Sequence, residues 1–408
     1  MDFPRALVVF FVFLLFYLGL QTFLFFRIKG YLQSRAQDQR RQRFLSGLVG
    51  LFFLFMLYPL LWRAIFGFRF YEPYPWALRV LLAFWVVGSI GSALVLLGYD
   101  LLRRLMLFFA PRPQAPPDLQ RRDFLKKSVG MAAVAPFFVS GYGVLLERRR
   151  FQVEHFELPV NGLSSALSQL SIVHLTDIHV GPFMPEEELA AHVEAINRLE
   201  PDLIALTGDF VSSMPDEIYP CANALGRLKA RYGIFACIGN HDVYAGVVNE
   251  LTRLFNQKGI RVLRNDAVSL DVGNTRLNVL GIDDLRWGFP DLSQALKIAE
   301  REPGEVRLLL SHRPEVFPEA ARQGLDVVLS GHYHGGQIKL SPEPNSFSIA
   351  RLITPYAEGL FHLSRRSNVS GQGAKDAMLF VGRGIGITGL PIRINCPPQI
   401  AHLTLRKA

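Results

Sequence analysis

Five short polar clusters in this 408-residue chain could do chemistry: Asp177-Ile178-His179, Gly208-Asp209, Gly239-Asn240-His241-Asp242, Ser311-His312 and Gly331-His332-Tyr333-His334-Gly335-Gly336. Together they offer carboxylate oxygens, imidazole nitrogens and an amide oxygen, with no thiolate among them. That donor set suits Mn²⁺, Zn²⁺ or Fe without choosing between them. The last cluster sets two imidazoles one residue apart between glycines. Backbone freedom there lets the two rings aim at neighbouring points. A His-x-His pair alone is a loose pattern, and its weight comes from the other four clusters.

Each cluster ends an apolar run with strand character. The runs are Leu170–Thr176, Asp202–Thr207, Gly233–Ile238, Arg307–Ser311 and Asp326–Ser330. Helical periodicity marks Glu186–Leu199, Glu217–Ala230, Gly246–Lys258, Leu292–Arg301 and Glu315–Gln323, the first with acids in its opening turn. Further short strands are expected at Ala267–Val272 and Arg276–Gly281. Ile338–Leu340, Met378–Val381 and Ile400–Leu405 are available to close a sheet. Alternating strands and helices make an α/β domain, and open α/β sheets collect ligands at strand ends. His174, inside a strand, reads as packed. His155, His192, His362 and His402 have no partner in sequence. Arg383 and Arg393 read as structural in preference to phosphate-gripping.

The series Asp-x-His, Gly-Asp, Gly-Asn-His-Asp, His, Gly-His-x-His resembles the calcineurin-like metallophosphoesterase superfamily, and within it the bacterial membrane-associated phosphodiesterases that follow a twin-arginine signal. The resemblance covers residues 165–408, including the tail from Gly382-Arg383-Gly384 to Ile394-Asn395. It implies a four-layer α/β/β/α sandwich holding two divalent metal ions. One ion would take Asp177, His179, Asp209 and His334; the other would take Asp209, Asn240, His312 and His332, so that Asp209 bridges. Such a pair clamps a phosphoryl group and acidifies a bridging water. His241, beside Asn240, would protonate the departing oxygen. Asp242 has two readings: it orients His241, or it is a solvated acid opening the next helix. Purple acid phosphatases place a tyrosine three residues after the bridging aspartate. Ser212 stands there in this chain, so no tyrosinate-bound ferric site is expected.

The N-terminal part is of another kind. Ala6–Phe26, Leu45–Trp62, Val80–Tyr99 and Ser128–Leu146 are apolar runs, the first three near the ~20 residues that span a bilayer core. Residues 1–146 are therefore expected to form a membrane module of about four transmembrane helices. A linker over 147–164 and the domain 165–408 would follow. Basic residues crowd the first and third loops (Arg27, Lys29, Arg35, Arg40; Arg103, Arg104, Arg112, Arg121) more than the second (Arg63, Arg69, Arg79). Positive-inside logic then puts the domain on the extracytoplasmic side of an inner membrane. Arg148, Arg149 and Arg150 run against that orientation. The stretch 121–127, opening with Arg121-Arg122-Asp123-Phe124-Leu125-Lys126, resembles a twin-arginine export signal and makes the export machinery a candidate partner. Pro136 after Ala133-Val134-Ala135 disfavours cleavage, so a retained anchor is expected.

Charge and cysteine content narrow the functions. Residues 1–150 carry 20 Lys+Arg against 7 Asp+Glu, net +13, and the remainder nets −4. The catalytic part therefore lacks the basic footprint of a nucleic-acid binder. Cys221, Cys237 and Cys396 have no metal-type spacing and are assigned no chemistry. The expected protein is a membrane-anchored phosphoesterase acting on a phosphodiester or phosphomonoester, with a lipid-linked substrate suggested by the anchor and the bilayer as partner. The alternatives are a pyrophosphatase acting on a nucleotide-linked lipid, and a non-catalytic metal- or phosphate-binding membrane sensor.

Overall fold

The computed structural model describes residues 3–35, 38–66, 75–109, 118–299, 302, 305–344, 346–363 and 376–408. Arg69, Arg112 and Arg301, within stretches read above, lie outside them, as do Asn345 and residues 364–370. The chain divides into two compact units, Met1–Val144 and Leu145–Ala408.

The first unit consists of α1 (Phe3–Arg35), α2 (Gln39–Phe66), α3 (Trp76–Phe109) and α4 (Leu119–Leu145). Among the described residues, three stretches are long and apolar enough to cross a membrane: Phe11–Ser34, Trp76–Phe109 and Leu119–Arg149. Pro136 lies inside α4, and residues 121–127 occupy its N-terminal turns. A Cβ at Gly91 of α3 would fall 2.6 Å from Pro136. The missing side chain is what lets the two helices approach, as small residues do between membrane helices.

The second unit runs β1 (Gln152–Val160), β2 (Ser171–Leu175), α5 (Glu186–Asn197), β3 (Leu203–Thr207), α6 (Ile218–Leu225), β4 (Ile234–Cys237), α7 (Asn240–Tyr244), α8 (Val248–Gln257) and β5 (Ile260–Val262). It continues with β6 (Asp266–Val272), β7 (Thr275–Gly281), α9 (Leu292–Ile298), β8 (Val306–Leu310), α10 (Phe317–Arg322), β9 (Val327–Ser330), β10 (Gly359–Leu363), β11 (Ala377–Val381) and β12 (Gln399–Lys407). Two six-stranded sheets form, in the orders β1-β12-β2-β3-β4-β5 and β10-β11-β9-β8-β7-β6.

Three apolar layers make this a four-layer α/β/β/α sandwich. Val173, Leu206 and Ala236 pack against Leu189, Leu225 and Phe255 of the helices on one side. Ile172, Leu203 and Phe235 meet Val279, Leu308 and Leu329 between the sheets. Leu280, Leu309 and Val328 face Ala295 and Phe317 on the other side. Strands buried on both faces read as unbroken apolar runs, and β3 is buried at all five positions. The parallel neighbours β2, β3 and β4 in one sheet, and β8 and β9 in the other, bring their C-terminal ends to one rim.

The expected linker over 147–164 is instead built into the domain. Gln152–Val160 is an edge strand paired parallel with β12, from Gln152↔Gln399 to Val160↔Lys407. Its exposed His155 and Glu157 and its half-buried Glu154 disguise it as loop, a common edge-strand composition. Glu147 and Arg148 are buried. Ile338–Leu340 forms only isolated bridges, Ile338↔Ile394 and Lys339↔Ser348.

Candidate metal centre

The five clusters converge at that rim. Asp177 and His179 follow β2, Asp209 follows β3, Asn240 and His241 open α7 beyond β4, His312 follows β8, and His332 and His334 follow β9. Five of these residues have left-handed backbone: Asp177 (φ 50°), His179 (49°), Asp209 (56°), His332 (76°) and His334 (52°). Non-glycine residues seldom adopt that region, and such strain gathers at functional sites. Close backbone approach adds to it: a Cβ at Gly331 would fall 2.2 Å from Asp177 Oδ2.

Two groups of donors result. His334 Nε2 lies 3.1 Å from His179 Nε2 and 3.2 Å from Asp177 Oδ1. His312 Nε2 lies 3.2 Å from Asn240 Oδ1, from His332 Nδ1 and from Asp209 Oδ2. Asp209 Oδ2 also stands 3.6 Å from His179 Nε2, so one carboxylate oxygen faces both groups. Asp177–His179–His334 and Asp209–His312–His332 are each compact enough to hold an ion, as is His179–Asp209–His241. Ligands held about 2.1 Å from one cation stand roughly 3.0–3.4 Å apart, close to the 3.1–3.6 Å between these atoms. The residues present therefore fit divalent metal. His332 and His334 present different nitrogens to different groups.

The electrostatics agree. Burial opposes ionisation of Asp177 and Asp209, but the imidazoles of His334 and His312, respectively, outweigh it and hold both below the usual carboxylate range. Burial drives His179 and His332 well down, toward the neutral form that ligates. Burial also opposes charge on His312, yet Asp209 raises it to about 10. An imidazolium there answers the same negative charge that a cation would. His312 Nδ1 donates to the Thr207 carbonyl at 2.8 Å, which orients the ring.

His241 is partly exposed, and its Nδ1 donates to the Ser212 carbonyl at 2.5 Å. That bond leaves Nε2 for other partners. Its backbone N–H donates to Asp209 Oδ1 at 2.8 Å. Asp242 corrects both expectations for it: it is fully buried and makes no bond to the His241 ring. Its carboxylate accepts from the backbone nitrogens of Gly239 (2.9 Å), Asp209 (3.0 Å), Phe210 (2.8 Å) and Val211 (3.3 Å). Burial, then the charge of Asp209, pushes its pKa up against those donors.

Four residues at the site were not singled out from sequence. Arg313 donates through Nε to buried Asp284 at 2.8 Å and through Nη2 to Asn240 Oδ1 at 3.1 Å, and its Nη1 lies against His332 Nε2. Asp284 follows β7, one more strand end, and that placement was the available signal. Tyr244 stacks edge-on between His241 (5.5 Å between centroids) and Trp287 (5.0 Å). Arg393 is buried and donates to the carbonyls of Arg383, Gly384, Gly386 and Cys396, which makes it a loop brace. Arg383 pairs with Glu154 at 2.6 Å.

Comparison with known proteins places this arrangement. The calcineurin-like phosphoesterase family matches residues 170–336. A Helicobacter pylori protein named as an uncharacterized metallophosphoesterase is 31% identical over 70% of this chain and 71% of its own length. A zebrafish protein, "Transmembrane protein with metallophosphoesterase domain", is 30% identical over 68% of this chain; the match spans 62% of the zebrafish protein's length. Its bovine namesake is 27% identical over 83% of this chain and 75% of its own length.

Proposed function

The chain belongs to the calcineurin-like metallophosphoesterase family, and from that premise we propose that it is a membrane-anchored hydrolase that cleaves a phosphoester, with a lipid-linked phosphodiester as the favoured substrate. One observation carries the reading: two donor groups lie at one sheet rim with Asp209 Oδ2 facing both. In this reading one divalent ion is held by Asp177, His179, Asp209 and His334. A second is held by Asp209, Asn240, His312 and His332. Bound ions of this kind stabilise charge on a phosphoryl group and acidify the attacking water.

The chain's own groups do the rest. Water's oxygen forms the new bond to phosphorus as the ester P–O bond breaks, and the leaving alkoxide needs a proton. His241 supplies it from Nε2, because Nδ1 is committed to the Ser212 carbonyl. Arg313, fixed by Asp284, sets a permanent positive charge beside Asn240 and His332 and steadies the phosphoryl oxygens.

Three apolar stretches and relatives named as transmembrane proteins support membrane attachment. The loop charges favour a multi-pass inner-membrane protein with its domain outside the cytoplasm, reached through a retained twin-arginine-like segment. The test is turnover by the full-length protein on soluble bis-(p-nitrophenyl) phosphate and on a phospholipid panel, with Mn²⁺ and after chelation. Metal-dependent release from both is expected. No turnover with any metal contradicts the reading.

A further inference from the structure

The loop that follows the metal-ligand turn carries five exposed large apolar side chains within fourteen residues: Leu340, Phe347, Ile349, Leu352 and Ile353. Leu340 is 78% exposed and Leu352 73%. The described residues of the loop are pinned. Leu340 N donates to the Phe347 carbonyl at 3.1 Å, Lys339 N donates to the Ile394 carbonyl at 2.9 Å, and Ile349–Leu352 is a 3-10 turn. Clustered exposed apolar side chains on an ordered frame mark an interaction surface.

The anchor says what covers it. The apolar part of α4, Ser128–Leu146, is about 28 Å long as helix, close to the ~30 Å of a bilayer core. Leu146 then stands at the edge of the hydrocarbon. Glu147 directly after it is fixed within the domain: its Oε1 accepts from Cys396 N at 2.9 Å. Asn395, the neighbour of Cys396, donates through Nδ2 to the Leu340 and Lys339 carbonyls, each at 3.2 Å. Two adjacent residues therefore tie the end of the anchor and the base of the apolar loop together, within roughly 15 Å by chain dimensions. Leu145, Leu146, Arg149 and Arg150 are exposed at the junction, an apolar-then-basic order that suits acyl chains and anionic headgroups. The same junction reaches the site, since Cys396 Sγ donates to the His334 carbonyl at 3.2 Å.

We propose that the 340–353 loop seats in the bilayer surface beside the anchor, so that the metal centre works on phosphoesters of lipids held in that surface. Continuity with the span selects lipid over a protein partner, and the geometry holds for either orientation of the chain. The substrate part rests on the phosphoesterase reading; the seating part does not.

The test uses the full-length protein in nanodiscs. All three native cysteines are buried, so an environment-sensitive thiol dye can be placed at Leu352→Cys, with Lys258→Cys at the opposite sheet edge as control. Doxyl-labelled phospholipid should quench the dye at 352 at least twofold and leave the control unchanged. Equal, weak quenching at both positions overturns the seating, whether water or a second protein copy covers the loop. The double variant Leu340→Ser/Leu352→Ser should cleave soluble bis-(p-nitrophenyl) phosphate at the wild-type rate and vesicle phospholipid at least tenfold more slowly. Equal rates on vesicle lipid for variant and wild type overturn the coupling. A wild type that cleaves the soluble diester and no phospholipid sinks the lipid-substrate reading, while quenching still decides the seating.

Discussion

Asp242 accepts hydrogen bonds from the backbone nitrogens of Asp209 at 3.0 Å and Phe210 at 2.8 Å. The carboxylate that follows His241 in sequence thus serves the Asp209 loop, and His241 takes its orientation from the Ser212 carbonyl. The left-handed backbone of Asp209 is held where its Oδ2 meets both donor groups.

Asp242→Asn should therefore act through the loop. An amide oxygen cannot satisfy all four backbone donors, and losing hydrogen bonds to a buried carboxylate costs about 2–3 kcal/mol. We expect a lower unfolding midpoint for the solubilised protein and a metal content well below wild type. Full metal content with a shifted pH–rate profile would return Asp242 to the role of orienting His241.

His241→Asn should lower kcat by about 10²–10⁴ for alkyl esters, whose alkoxides leave poorly without a proton. p-Nitrophenyl esters, with a stable leaving group, should suffer far less. Because His241 can also join His179 and Asp209, metal content is measured beside the rates. Equal losses on both substrates with metal retained contradict the general-acid role.

Arg313→Ala should cost about 10²–10³ in kcat. Asp284→Asn, which keeps the guanidinium but loosens its anchor at Asp284 Oδ2, should cost less. Unchanged turnover in Arg313→Ala with metal retained removes Arg313 from the phosphoryl site.

Acid should loosen the domain through His174. Burial lowers its pKa to about 3, with the charge of Asp177 pulling the other way. The folded state keeps this ring neutral, while the unfolded chain takes up a proton below about 6.5. The contribution is thus fully present above pH 6.5 and is lost as pH falls toward 3, by about 1.4 kcal/mol per unit. Unfolding midpoints at pH 7.5 and 5 should separate clearly in wild type, and His174→Gln should narrow the gap.

The two sheets and the candidate metal ligands were legible because parallel strands buried on both faces write continuous apolar runs, and polar clusters sit where those runs stop. β2, β3, β4, β8 and β9 announce Asp177, Asp209, Asn240, His312 and His332 in that way. What stayed hidden needed pairing in space. Gln152–Val160 carries edge-strand charge, and its partner β12 lies more than 200 residues away. Arg313 gains its meaning from Asp284, beyond the reach of local pattern. Asp242 looked like a partner for its sequence neighbour, but its four donors lie in the turns after β3 and β4.

The proposed centre is a pair of cation sites sharing Asp209, with His334 on one ion and His332 on the other. Anomalous diffraction from Mn²⁺-loaded protein tests it most directly. Two ions per chain are expected, both contacted by Asp209. A single ion ligated by both His332 and His334 would contradict it.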